Sequence, residues 1–256
     1  MLRLYLYWYY YNQYSIDIPQ MNQGKKNQII SNPLSLTLMT PRFDTIYGKV
    51  TPQNHEAIDK ESHMVRTPST MLALGTQAPA FSLLDVISGD TVSLDSFDSK
   101  KALLVMFICR HCPYVKHVEQ GLAQIGHDYA DKDLVIVAIS SNDVETYPDD
   151  APESLKEQAE TLGFNFPYLF DENQAAAKAY TAACTPDFFL FDASRSLVYR
   201  GQMDGSRPGN EVPVTGEDLR AALDAVLADV PVVGLQIPSL GCNIKWIDGN
   251  EPDYFG

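Results

Sequence analysis

Nowhere in the 256 residues is there an apolar stretch approaching the ~18 uninterrupted positions that a membrane-spanning helix needs. The nearest candidate, Met1 to Tyr11 (MLRLYLYWYYY), is aromatic and short. It lacks the aliphatic run and small-residue cleavage site of a secretory signal. Positive charge is scarce as well: 19 Lys and Arg stand against 33 Asp and Glu, a net of −14. That balance argues against a nucleic-acid partner or an anionic membrane surface and fits simple solubility. Cysteine is rare, with Cys109, Cys112, Cys184 and Cys242 being too few for a disulfide scaffold. There are no internal repeats.

What remains is a chain with 45% hydrophobic and 20% charged residues, able to bury a core. Its charge is unevenly spread. Residues 1–63 hold six Lys/Arg and five Asp/Glu, whereas the rest of the chain carries a net of −15. The first 63 residues also show no sustained hydrophobic period and read as a disordered extension. Met64 and Met71 stand where regular patterning begins, which suggests a mis-assigned start. The expected organisation is an extension over 1–63, a globular domain over 64–232 and a C-terminal tail over 233–256.

Within the domain, Phe81–Leu84 and Thr91–Leu94 flank a Gly89-Asp90 turn and predict a β-hairpin. Ala102 to Ile108 (ALLVMFI) is continuously apolar, as expected of a central strand covered on both faces. A helix follows, with Pro113 in its first turn and Val115, Val118, Leu122, Ile125 and Tyr129 forming one stripe. Leu134–Ile139 predicts a second buried strand, Pro152–Leu162 a helix, Phe166–Phe170 a short strand and Glu172–Tyr180 an Ala-rich helix. Phe188–Phe191 and Leu197–Tyr199 pair as a second hairpin. A last helix spans Glu217–Leu227, with Thr215 as its cap. This order predicts an α/β fold with a mixed central sheet flanked by helices.

Cys109-Arg110-His111-Cys112 lies where the central strand hands over to a helix. Backbone N–H groups and the macrodipole at a helix start favour a thiolate, the nucleophilic form of cysteine. On this reading Cys109 is the attacking thiol and Cys112, one turn on, the resolving one. Arg110 and His111 add positive charge that stabilises the thiolate and raises the reduction potential. An inert thiol pair is the alternative, but buried structural cysteines rarely sit at a helix start beside Arg and His. Pro186 lies in Cys184-Thr185-Pro186-Asp187, just before the apolar FFLF, and a proline there is confined to a strand's first position or a special turn.

These features together resemble the thioredoxin superfamily over about Leu72 to Ala228. More narrowly, FICRHCPYVKH, AISSND, FPYLFDE, CTPDFFLFD and PSLGCNIKW look like the peroxiredoxin-related redoxin branch, allied to alkyl hydroperoxide reductases and thiol-specific antioxidant proteins. The resemblance implies a thioredoxin-like fold, thiol–disulfide exchange, a cis-Pro186 facing the cysteines, and Thr185 offering backbone groups to a bound substrate. The sequence departs from peroxiredoxins, which carry Pro-x-x-x-Thr-x-x-Cys. Counting back from Cys112 gives Val105 and Cys109, and from Cys109 gives Ala102 and Met106. It departs from thioredoxins too, with Ile108 in place of their Trp and Leu103 in place of their buried Asp.

The leading expectation is therefore a thiol–disulfide oxidoreductase without a cofactor or resident metal, acting on protein or small-molecule thiols and disulfides. Thioredoxin or glutathione would serve as reductant. The rivals are a thiol peroxidase with antioxidant activity and a metal-binding or redox-sensing module. A metal set of Cys109, Cys112, His111 and His117 is conceivable, but no second closely spaced ligand pair supports it. Cys184 reads as a small buried hydrophobe near the pair, and Cys242 as a candidate additional resolving thiol. The missing signal sequence suggests the cytoplasm, where the pair would rest reduced.

Overall fold

The computed structural model describes residues 66–255. The expected extension over 1–63 and Met64 lie outside these residues, whereas Met71 lies within them. The central run forms a strand, β4 (Ala102–Phe107), buried at all six positions. Its period-two alternation splits the core between two faces. Ala102, Leu104 and Met106 join one cluster, whereas Leu103, Val105 and Phe107 join the other. Burial on both faces explains why the sequence shows no polar alternation here.

For the remaining elements we number strands and helices in chain order. The strands are β1 (Arg66–Pro68), β2 (Ser82–Asp85), β3 (Thr91–Ser93), β5 (Leu134–Ser140), β6 (Tyr168–Phe170), β7 (Cys184–Thr185), β8 (Asp187–Phe191), β9 (Leu197–Gly201) and β10 (Leu240–Asn243). The helices are α1 (Pro113–Asp128), α2 (Pro152–Leu162), α3 (Ala175–Ala179) and α4 (Glu217–Leu227). Seven strands form the main sheet in the order β3-β2-β6-β5-β4-β8-β9. β4, β5 and β6 run parallel to one another, and β8 and β9 continue antiparallel from β4. The sheet is mixed and the fold is α/β, as the patterning implies.

The α1 stripe is buried as expected at Val115, Val118, Leu122, Ile125 and Tyr129. It packs with Leu219, Leu223 and Val226 of α4 in the cluster that holds Leu104 and Met106. Each fully buried aliphatic side chain contributes about 1.5–3 kcal/mol, so this face anchors the helix that follows the cysteine motif. Tyr180, Phe189, Phe191 and Trp246 fill the opposite face.

Some boundaries differ from the sequence expectation. α3 is confined to Ala175–Ala179, because Gln174 takes a left-handed conformation and Asp171 accepts the N–H groups of Ala176 and Ala177. β6 begins at Tyr168, after Pro167, which has no N–H for a ladder. The cap of α4 is Gly216 rather than Thr215, although the Thr215 hydroxyl accepts the Glu217 N–H at 3.3 Å.

The larger difference concerns residues 233–256, expected as an appended tail. β10 is the middle strand of a second, three-stranded sheet, β1-β10-β7, antiparallel throughout. Ile244, Lys245 and Trp246 beyond it are buried. Lys245 donates its N–H to Asn142 Oδ1 at 2.8 Å and accepts the Asp143 N–H at 2.8 Å. The physical reason is the edge of β7, whose backbone groups need a partner once buried.

Candidate active site

The cysteine motif occupies the turn between β4 and α1. Pro113 is the first helical residue, so Cys112 is the N-cap and Cys109 stands three residues before it. This corrects the expectation that Cys109 holds the helix start: Cys112 is the N-cap residue, and its side chain makes no capping hydrogen bond. Both cysteines are fully buried and reduced.

Both converge on Thr185. The Cys109 Sγ lies 3.3 Å from Thr185 Oγ1, and the Cys112 thiol donates to the Thr185 carbonyl at 3.2 Å. The Thr185–Pro186 peptide bond is cis, as the resemblance implies. Cys184 is buried with its Sγ 3.6 Å from the Pro186 carbonyl, and burial pushes its thiol well up. Cys242 does reach the pair. It stands opposite Thr185 across the β7–β10 register and its thiol hydrogen-bonds with Cys112. That register also occupies the β7 edge, so Thr185 does not present a free backbone to an extended substrate.

The residue that sequence reasoning missed is Asp150. Its buried carboxylate accepts the N–H of Arg110 at 2.8 Å and of His111 at 3.0 Å. It also accepts from the Asn142 amide at 2.8 Å and pairs closely with His111 Nδ1. Burial pushes the carboxyl up, but His111, Asn142 and the backbone donor outweigh it and hold Asp150 below the usual carboxylate range. The His111 ring stacks on Tyr147 with centroids 5.1 Å apart. The available signal was Ser140-Ser141-Asn142, a polar end to a buried strand beside β4, where open α/β sheets place their sites.

The electrostatics follow from these contacts. Burial, the hydrogen bond with Cys112 and the Asp150 charge together push the Cys109 thiol well up. Cys112 is pulled down instead, chiefly by hydrogen bonds from Cys109 and Cys242, with help from the Val115 backbone. The expected tuning by Arg110 and His111 is offset, because each is paired with a carboxylate. Arg110 binds Glu157 at 2.8 Å and the Ser154 carbonyl at 3.0 Å, and His111 binds Asp150.

Cys109, His111 and Asp150 bring one metal-capable atom each to within 4.8 Å of one another. The His111–Asp150 hydrogen bond already satisfies two of these groups. His117 is not part of the cluster; its Nε2 bonds Ser206 Oγ at 2.7 Å. Among the described residues, no helix is long and apolar enough to cross a membrane.

A mixed sheet of this order with a Cys-x-x-Cys turn facing a cis-proline defines a thioredoxin-like protein. The chain belongs to the redoxin branch of that superfamily, residues 74–200 matching the AhpC/TSA family. It is similar to an uncharacterized conserved protein from Geobacillus kaustophilus, with 55% identity, covering 72% of this chain and 97% of that one at a TM-score of 0.71. A hypothetical protein from Sinorhizobium meliloti 1021 is 49% identical, covering 72% of this chain and 100% of that one at a TM-score of 0.70. No curated protein matches the sequence.

Two outcomes follow from the site. An ordinary thiol, with a pKa of ~8.5, loses reactivity about tenfold per pH unit below that value. Cys112 should instead keep most of its iodoacetamide reactivity from pH 8 to pH 6, and Cys109 should react later; the reverse order by peptide mapping would contradict the assignment. Asp150→Ala should lower stability by about 1–3 kcal/mol in urea denaturation at pH 7, because it leaves the Arg110 and His111 N–H groups and the Asn142 amide without their acceptor. Because the folded carboxyl titrates below its unfolded value of ~3.9, that difference should persist above this pH and shrink as acid protonates it.

Proposed function

We propose that the protein is a thiol–disulfide oxidoreductase in which Cys112 carries the attacking thiolate and Cys109 resolves. The observation that carries this reading is the position of Cys112 at the helix N-cap beside a second thiol; on ionising, Cys112 gives up its bond to the Thr185 carbonyl and accepts from Cys109 and Cys242. The Cys112 thiolate attacks one sulfur of a substrate disulfide, and the other sulfur leaves as a thiolate. Cys109 then attacks Cys112 Sγ, displacing the bound half and closing the Cys109–Cys112 disulfide. The Cys109 proton passes to His111, whose ring Asp150 orients and whose charge it balances. This dyad takes the place of the buried Asp that thioredoxins carry where this chain has Leu103. A dithiol or two thiols, of the thioredoxin or glutathione kind, restore the pair.

The occupied β7 edge favours a small disulfide over an extended polypeptide. The AhpC/TSA match raises peroxide as a second substrate. Against it, Val105 and Cys109 stand where a peroxiredoxin would place Pro and Thr relative to Cys112. The missing groups are those that would orient and polarise the O–O bond.

The roles are separable by mutation. Cys112→Ser should abolish reduction of a small disulfide, whereas Cys109→Ser should release product thiol once, stoichiometrically, and then stall. Turnover surviving without Cys112 would sink the assignment. In stopped-flow, hydrogen peroxide should oxidise the reduced protein no faster than it oxidises an ordinary thiolate of similar pKa. A rate orders of magnitude higher would make the protein a peroxidase.

A further inference from the structure

Cys112 has two thiol neighbours. Cys109 precedes it in the motif, while Cys242 arrives from the far end of the chain on β10. The register that seats Cys242 opposite Thr185 sets its thiol beside the sulfur that bonds the Thr185 carbonyl at 3.2 Å. All three cysteines belong to one buried cluster. The strand approaches so closely that a Cβ on Gly241 would stand 2.0 Å from the Thr185 carbonyl oxygen, well inside contact distance. Only glycine allows β10 to lie here, and its neighbour in sequence is the third thiol. Cys184 has no such relation to the pair, since its Sγ is turned to the Pro186 carbonyl.

We propose that Cys242 is a third redox thiol, which exchanges with Cys109 for the disulfide to Cys112. The proposal rests on the exchange reading above, because that cycle supplies the Cys109–Cys112 disulfide. In the step, Cys242 sulfur attacks Cys112 Sγ. The Cys112–Cys242 bond forms, the Cys109–Cys112 bond breaks, and Cys109 leaves as a thiolate that takes up the proton lost by Cys242. One disulfide is exchanged for another, with no net oxidation and no external reagent. The hydrogen bond with Cys112, together with burial, keeps Cys242 protonated in the reduced protein, so the exchange awaits oxidation of the pair, when Cys112 ceases to be a thiolate and becomes the electrophile. The outcome is a second oxidised form, with its disulfide between α1 and the small sheet.

The test uses the full-length wild-type protein equilibrated in a glutathione/glutathione disulfide buffer, quenched in acid and blocked with N-ethylmaleimide. Trypsin cuts between Arg110 and His111, so the motif cysteines fall on separate peptides, 102–110 and 111–116, with Cys242 on 221–245. Peptide 111–116 should be found linked to both others, the Cys242 form making up roughly a tenth or more of the oxidised protein, as for an isomer within about 1.4 kcal/mol of the major one. Cys242→Ser should carry the Cys109–Cys112 linkage alone. Finding only the Cys109–Cys112 linkage in wild type overturns the third-thiol proposal and leaves the exchange reading intact. Finding neither linkage overturns both.

Discussion

The arrangement depends on one buried carboxylate. Asp150 takes up the N–H groups of Arg110 and His111, which the motif turn would otherwise leave unpaired, and fixes the His111 ring beside Cys109. An ionised carboxylate inside a protein is tolerated only when its lone pairs are filled, and here four donors fill them. The same charge works against an anionic Cys109, so holding the turn and choosing the thiolate are one interaction. Asn142, at the polar end of β5, completes the set and ties the turn to the segment through Lys245.

The scaffold around this carboxylate separates positioning from chemistry. β4 is covered on both faces and delivers the turn, while the α1 stripe and α4 lock the helix that follows. The reactive groups come from three further places: the turn before α2, the β7–β8 junction and β10. Packing fixes the frame, and short polar contacts fix the sulfur atoms within it. Arg110 and His111 do less than their place suggests, because Glu157 and Asp150 meet them.

Much of this frame was legible in the chain. A continuous apolar run, a stripe with spacings of three and four, and a proline before FFLF each report a local physical constraint, and each element formed. The cap position was also readable: Pro113 is the first helical residue, and a proline there makes its predecessor the N-cap. Assigning the helix start to Cys109 overlooked that rule. Asp150 and Cys242 were less accessible, because their importance comes from pairing across 39 or more residues and neither carries a periodic signal. Asp150 lies in a polar loop that looks solvated, and Cys242 in a stretch too short and mixed to announce a strand.

The placement of β10 bears on how the chain can be shortened or extended. Residues past α4 look dispensable by composition, yet they cover the rim of the sheet beside the cysteines and contribute Trp246 to the apolar cluster behind β4. A chain ending before Leu240 would leave β1 and β7 with unpaired backbone groups next to newly bared aromatic surface. Such an open rim templates pairing with other molecules. Loss of the final segment would therefore convert the neighbourhood of the thiols into a site of self-association, and the damage would register as insolubility before it registered as lost chemistry.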